Sequence, residues 1–559
     1  MLFSFTIIIL ISSFFPFRSL YINSTDIVPA EGGVYIEACV GAPRYINPVL
    51  APANDVDRDI ASIVYSSLFK YDGSGNLIPD LVDTHSLSED KKEYEIRLKK
   101  NIKWHDKKDL TADDVIFTMQ LIQNPDFKSP LRNNFQGVEI EKIDDYAVKF
   151  KLVKNPYSPF LNNLTFGILP KHIWENITPA SFPLTEINLK PIGSGPYKFK
   201  KIVKDAGGNV GSLEFESYSD YYFHQPYIDQ VIFKFFKDED TAISAFNNGD
   251  SDAINFVSAN KANDIKSEHN LNKFILPRYF AVFFNQTESK AIADANVRRA
   301  LTYATDKNDI INKAMGGQAI AINSPLPECI LNENINKQNI VVSESIFDVE
   351  QAKSILETNG WTLPSSTSTS TPAEANVRQK NNSEKENQPV LFEITLSTVN
   401  WPELIETANI LKTNWESIDA KVNLDINSVT DIQEKIRTRQ YQALLFGQVL
   451  GINPDPFVFW HSSQKKDPGR NLALYDNKEA DKLLEDARQE QNQEVRFQQY
   501  GQFVKLVNQD LPAIFLYTPI YHFPTSKKIQ NISITRGDLP SVRFSQIEDW
   551  YIETRRGWK

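Results

Sequence analysis

The chain is poor in the groups that usually mark catalysis or metal binding. It has two cysteines in 559 residues, Cys39 and Cys329, far apart and outside any C-x-x-C spacing. That excludes a disulfide scaffold and a cysteine-rich metal site. The pair reads as two small core residues, with a disulfide left open because extracytoplasmic compartments permit one. The seven histidines (His85, His105, His172, His224, His269, His461 and His522) lack ligand spacing. There is no G-x-S-x-G, no H-E-x-x-H and no glycine-rich phosphate loop. Gly193-Ser194-Gly195 is no nucleophile turn, since Pro196 blocks the helix that such a turn opens. A basic excess is also missing. The net charge of −11 argues against a nucleic-acid binder, which needs a basic face. After the N-terminus no apolar run is long enough to span a membrane, and no internal repeat of fixed period appears. These absences predict a protein that is not an enzyme, carries no cofactor and binds no nucleic acid.

What is present begins with Leu2–Phe17, almost wholly apolar and closed by Arg18. This is signal-sequence length, and it reaches anchor length if Arg18 snorkels and Leu20-Tyr21-Ile22 join it. No A-x-A-like cleavage site follows, so an uncleaved membrane anchor is the expectation, with secretion after cleavage as the alternative. Asn23–Glu31 reads as a polar tether. Strand patterns then alternate with helix patterns: Gly32–Ala38, the helix Asp59–Phe69, the strand Tyr146–Leu152, the helices Asn296–Ala314 and Pro402–Trp415, and the buried strand Pro512–Thr518. That alternation predicts α/β lobes. Thr362–Pro389 is rich in Ser, Thr, Asn and Pro and poor in apolar residues. It reads as a disordered surface insertion that buries almost nothing.

The most informative stretch is Lys103–Met119, KWHDKKDLTADDVIFTM. A strand ends at Trp104-His105-Asp106, and Thr111 with Asp114 forms a helix-capping pattern. Around it lie Gly75-Asn76-Leu77-Ile78-Pro79-Asp80-Leu81, Gly167–His172, Pro191–Tyr197, Phe283-Phe284-Asn285, Val297–Leu301 and Asn453-Pro454-Asp455-Pro456. This ordered set closely resembles the bacterial extracellular solute-binding proteins of family five, the peptide- and nickel-binding subunits of ABC importers. The resemblance covers roughly residues 32–517.

The resemblance implies a two-lobed, type II periplasmic-binding-protein-like α/β fold, with an extra α/β domain inserted in the first lobe. On that pattern 1–31 is anchor and tether. Residues 32–60, 190–276 and 524–559 form lobe I, 61–189 the inserted subdomain, and 277–523 lobe II with the disordered insertion 362–389. The implied function is a monomeric extracytoplasmic receptor that binds peptides between the lobes and delivers them to a membrane ABC permease. The alternatives are another solute, such as a nickel complex or a glycan, or a membrane-tethered chaperone or adhesion module. The expected ligand contacts are Tyr45 and Asn47 in the loop after the first strand, Phe284 and Asn285 at the opening of lobe II, and Phe446, Gly447, Gln448, Asp455, Trp460 and Tyr517. One departure stands out. Where the peptide binders carry Trp after the glycine and, three residues on, an Asp for the peptide's amino group, this chain has Gln448 and Gly451. Asp455 is then the nearest replacement, and rigid reading of a free N-terminus is expected to be weak.

Overall fold

The computed structural model describes residues 23–327, 329, 346–364, 376–381, 389–537 and 539–559. The apolar run 2–17 lies outside these residues. Among the described residues no helix is long and apolar enough to cross a membrane.

The strands used below are β1 (Thr25–Pro29), β2 (Val34–Val40), β3 (His269–Ile275), β4 (Arg278–Phe284), β5 (Glu393–Val399), β6 (Lys421–Asn427), β7 (Ala443–Val449), β8 (Ala513–Ser526) and β9 (Thr554–Trp558). The helices are α1 (Asp55–Val64), α2 (Pro402–Glu416) and α3 (Val429–Thr438). One hydrogen-bonded sheet runs through both lobes, in the order β6-β5-β7-β4-β8, then Ala253–Ile254, β2, Gln230–Phe236, Val210–Ser217 and Tyr197–Lys204. β8 makes this possible. Its first half pairs with β4 (Ala513 opposite Phe283, Tyr517 opposite Phe280), and its second half with β3 (Ile520 opposite Ile275, Ser526 opposite His269). The apolar cores divide at the same level, one centred on β4, β5 and β7, the other on β2, α1 and the inserted unit. That unit is a four-stranded antiparallel sheet (Val82–Leu87, Glu93–Leu98, Ala147–Leu152, Val138–Asp144) packed on the helix Ala112–Gln123.

The Trp104-His105 motif is a structural clamp. Trp104 is fully buried. The backbone N–H of His105 donates to the Gly193 carbonyl at 2.8 Å. The His105 ring accepts from the Gly193 N–H at Nδ1 (3.2 Å), so its proton sits on Nε2, which donates to the Gly195 carbonyl at 3.0 Å. A Cβ on Gly193 would stand 1.9 Å from the Val64 carbonyl oxygen, so only glycine lets this turn abut the end of α1. The capping pattern also forms: Asp114 accepts the Thr111 N–H at 2.9 Å.

A buried ion cluster pins lobe I. Arg543 donates to Asp59 on α1 and to Glu37 on β2, and all three side chains are almost wholly inaccessible. Its guanidinium also lies 4.2 Å from the Phe544 ring centroid. Burial and the neighbouring Asp59 push Glu37 up despite the arginine, and burial pushes the Tyr35 hydroxyl, which donates to Glu37, well up.

Several expectations are corrected. Asn23–Glu31 is not a free tether, because β1 within it pairs antiparallel with β9 (Thr25 opposite Trp558). The helix expected over Asp59–Phe69 is α1, Asp55–Val64, and Phe69–Tyr71 is a strand, so a boundary at 60/61 would cut a helix. Thr362–Pro389 is not wholly unpacked. Residues 365–375 and 382–388 lie outside the described residues, but Arg378 between them is buried. Arg378 donates to Asp419 and Glu357, each at 3.1 Å, and to the Trp361 carbonyl at 3.0 Å. Gln379–Lys380 pairs with Val390–Leu391. The compositional signal failed because one well-partnered arginine and Val377 anchor a polar stretch that has few apolar residues to bury.

Two tests follow from this packing. Arg378→Ala should lower unfolding free energy by about 2 kcal/mol, the scale of lost charged hydrogen bonds. Excision of 362–389 should lower the melting temperature by several degrees, and an unchanged transition in both variants would refute the anchoring role. His105 sets a pH dependence, since burial lowers its pKa to about 4, against about 6.5 in an unfolded chain. Below about pH 6.5 the unfolded chain takes up a proton that the fold excludes, so stability falls as pH drops from there towards 4 and this contribution then levels off. Urea midpoints across that range should fall less steeply in His105→Gln, and equal slopes would sink the assignment.

Candidate functional site

The sheet order fixes where lobe II meets lobe I. β5 runs parallel to both β6 and β7, so Val399, Asn427 and Val449 end at one edge. β4 is antiparallel to β7, with Arg278 opposite Val449 and Phe284 opposite Ala443. The start of β4 therefore shares that edge, and the Leu450 N–H donates to the Pro277 carbonyl at 2.6 Å. Pro277 is also where the chain crosses from β3 in lobe I. The carboxyl ends of the parallel strands thus form a rim facing lobe I, the position where open α/β sheets bind ligands.

That rim is apolar and open. Trp401, just after β5, is 47% exposed, and Val449 is 52% exposed. Ile426 at the end of β6 and Val429 at the start of α3 are exposed as well. Behind them Phe280, Gly447 and Tyr517 stand in one row across β4, β7 and β8. The Phe280 and Tyr517 rings stack at 5.3 Å and 27°. A Cβ on Gly447 would come within 2.9 Å of Cε1 of Phe280, so the ring occupies the space that the missing side chain leaves. From lobe I, the exposed Phe256 packs on Tyr521 at 5.6 Å beside the crossing. Beyond the rim, the segment after β7 and the helix Gln493–Asp510 touch the inserted subdomain. Asn453 donates to Asn162 at 3.1 Å, the Tyr157 hydroxyl to Asp455 at 3.4 Å, and Arg496 to Ser158.

Of the expected contacts, Gly447 lies in the Phe280 row next to the rim, whereas Tyr517, stacked on Phe280, is only 1% exposed and supports the rim from within the core. Gln448 is buried and already used: it accepts from the Tyr279 hydroxyl at 2.5 Å and donates to the Arg470 carbonyl at 3.3 Å. Phe446 lies opposite Ala281, so it faces away from the Phe280 row. Asp455 does not offer a free carboxylate, because Arg488 grips it through Nε (2.9 Å) and Nη2 (2.6 Å). Phe284 and Asn285 are fully buried at the far end of β4, where the Asn285 amide donates to the Arg439 carbonyl. Trp460 is a core residue among Phe283, Tyr475, Phe503 and Phe515. In lobe I, Asp57 accepts the N–H groups of Arg44 (2.7 Å) and Tyr45 (2.9 Å), which fixes the loop after β2. Asn47 is buried and ties that loop to Val49 and Asn188, whereas Tyr45 is half-buried.

Arg278, Phe280, Trp401 and Val429 lay outside the segments that sequence reasoning singled out, and for Arg278 and Phe280 the reason is the direction of β4. A strand antiparallel to a parallel set presents its beginning, not its end, at the ligand edge.

A separate cavity of about 330 Å³ lies inside lobe I, with Tyr65, Lys70, Asn162, Phe166, Tyr221 and Glu548 in its wall. Lys70 and Glu548 pair at 3.1 Å, so its principal charges satisfy each other. Its size suits a small solute at most. Among the described residues no group of three or more His, Cys, Asp or Glu could hold a metal ion.

Residues 76–471 match the family model for bacterial extracellular solute-binding proteins, family 5 middle. The oligopeptide-binding protein AppA of Bacillus subtilis is 28% identical over 536 residues, covering 94% of this chain and 92% of that protein. The dipeptide-binding protein of Escherichia coli is 23% identical, covering 88% and 90%. Among solved structures, Bacillus subtilis AppA in complex with a nonapeptide has a TM-score of 0.71 at 26% identity, covering 94% of this chain and 100% of that one. NikZ from Campylobacter jejuni in complex with Ni(L-His) has a TM-score of 0.72 at 26% identity, covering 93% and 99%. The substrate-binding protein CtaP from Listeria monocytogenes has a TM-score of 0.77 at 26% identity, also covering 93% and 99%. The fold is the two-lobed type II arrangement, and the chain belongs to the bacterial extracellular solute-binding proteins of family 5.

Proposed function

We propose that this chain is an extracytoplasmic receptor that binds oligopeptides between its lobes and delivers them to an ABC permease. The observation that carries the reading is the rim of lobe II, where Trp401, Ile426, Val429 and Val449 lie exposed beside the Phe280–Tyr517 stack. An open apolar edge against a second lobe suits an extended ligand with varied side chains, whose backbone supplies the hydrogen bonds. The peptides named for AppA and the Escherichia coli dipeptide-binding protein support the same class. Tyr45, on the braced loop of lobe I, is the expected contact from the opposite side. In this proposal residues 2–17 hold the receptor at the membrane. Fractionation tests that part: the full chain should sediment with membranes and a chain starting at residue 23 should not.

Mixed peptides titrated into the purified protein should give heat and a smaller radius of gyration in solution scattering as the lobes close. No heat and no compaction across a broad pool would refute the receptor reading. The amine end gives a sharper test. Gly451 carries no carboxylate, and Asp455 is held by Arg488. N-acetylation of a bound peptide should therefore cost less than about 1.4 kcal/mol, a tenfold change in Kd. A hundredfold preference for the free amine would overturn this.

A further inference from the structure

Arg278 has a setting unlike that of the other half-buried or buried arginines of the two lobes. Arg298 donates to four backbone carbonyls. Arg378, Arg488 and Arg543 each grip carboxylates. Arg278 is half-buried, yet among the described residues its guanidinium meets no carboxylate and no hydrogen-bond acceptor. Burial pulls its pKa down, and the only opposing influence is Tyr521, whose hydroxyl is spent on the Asn255 carbonyl. A guanidinium stays charged at any physiological pH. Taking it out of water without a partner is costly. The fold keeps that cost at the first residue of β4, in the crossing between the lobes.

Its place within the site is equally specific. Side chains alternate along a strand, so Arg278 shares a face with Phe280 and, across β7, with Val449 and Gly447. The charged fork thus lies at the rim beside the exposed Val449, one step along the strand face from the Phe280–Tyr517 stack. Such a fork matches a carboxylate in a bidentate arrangement. We infer that Arg278 is the anchor for a carboxylate of the ligand, held at the hinge while the adjoining apolar part lies against Phe280 and Val449. This rests on the receptor reading above and adds the polarity of the ligand: the charge that the hinge offers without a protein partner is positive, so an acidic group is what it recognises. A peptide has two sources of that group, its C-terminus and an Asp or Glu side chain.

The test uses calorimetry on the full chain with three probes. These are a pentapeptide pool without acidic residues as free acids, the same pool as C-terminal amides, and an amidated pool with one internal Asp or Glu. Succinate and citrate, with their methyl esters, form a second panel. The free acids should bind at least tenfold tighter than the amides, with the amidated acidic pool regaining affinity only if side-chain carboxylates also fit. Arg278→Gln should erase the difference, and Arg278→Lys should keep part of it. Should Arg278→Gln not fold, the acid–amide comparison in the unmodified chain and in Arg278→Lys still decides. Equal binding of acids and amides overturns the inference and leaves the peptide reading standing. Binding of succinate or citrate, but of no peptide, with loss in Arg278→Gln supports the inference and overturns the peptide reading. Binding of neither panel overturns both.

Discussion

Two strand crossings hold the lobes together, and the rest of the architecture follows from their lying side by side in one sheet. The chain passes from β3 to β4 through Leu276-Pro277, and β8 passes between the same partners in the opposite direction. A sheet resists shear within its hydrogen-bonded ladders but bends where pairing changes hands. Relative motion of the lobes is therefore confined to about the level of Pro277 and Tyr517–Ile520, as in hinge-type closure. The same level carries Arg278, Phe280 and Tyr517, so any bending must move the residues at the start of β4 and the ring packed beneath them.

Lobe I is stiffened by different means. Glu37, Asp59 and Arg543 come from a strand, a helix and the C-terminal region, and they meet where water is excluded. Such a cluster is a poor source of net stability, because desolvation offsets most of the attraction. Its effect is geometric. With α1 locked by Asp59, Asp57 two residues earlier holds the N–H groups of Arg44 and Tyr45. The loop after β2 thus inherits its position from a charge cluster buried on the same helix.

Much of this was legible in the sequence. The ordered motifs pointed to the family, and the Trp104-His105 string marked a structural junction because its residues are large, buried and capped by glycines that only a close backbone approach requires. The site was less legible, for identifiable reasons. Phe283-Phe284-Asn285 marked the right strand, but its antiparallel direction sends those residues to the far edge. Trp460 and Gln448 have side chains common in ligand clefts, yet here they fill a core and satisfy a buried tyrosine. Asp455 looked available because Arg488 is 33 residues away in sequence. Likewise, composition alone gave no sign that Arg378 would find two carboxylates.

The polar bridges between the inserted subdomain and the segment after β7 have a consequence for how occupancy is read. Tyr157 with Asp455, and Asn162 with Asn453, join protein groups alone, so they favour this docking of the subdomain whether or not solute is present. A solute enters only through the open fraction, and the apparent dissociation constant equals the intrinsic one divided by the competent fraction. Each 1.4 kcal/mol of solute-independent closure would cut that fraction about tenfold. Bonds of this kind, where they must break for solute to enter, shift the concentration range of a response without touching the solute at all.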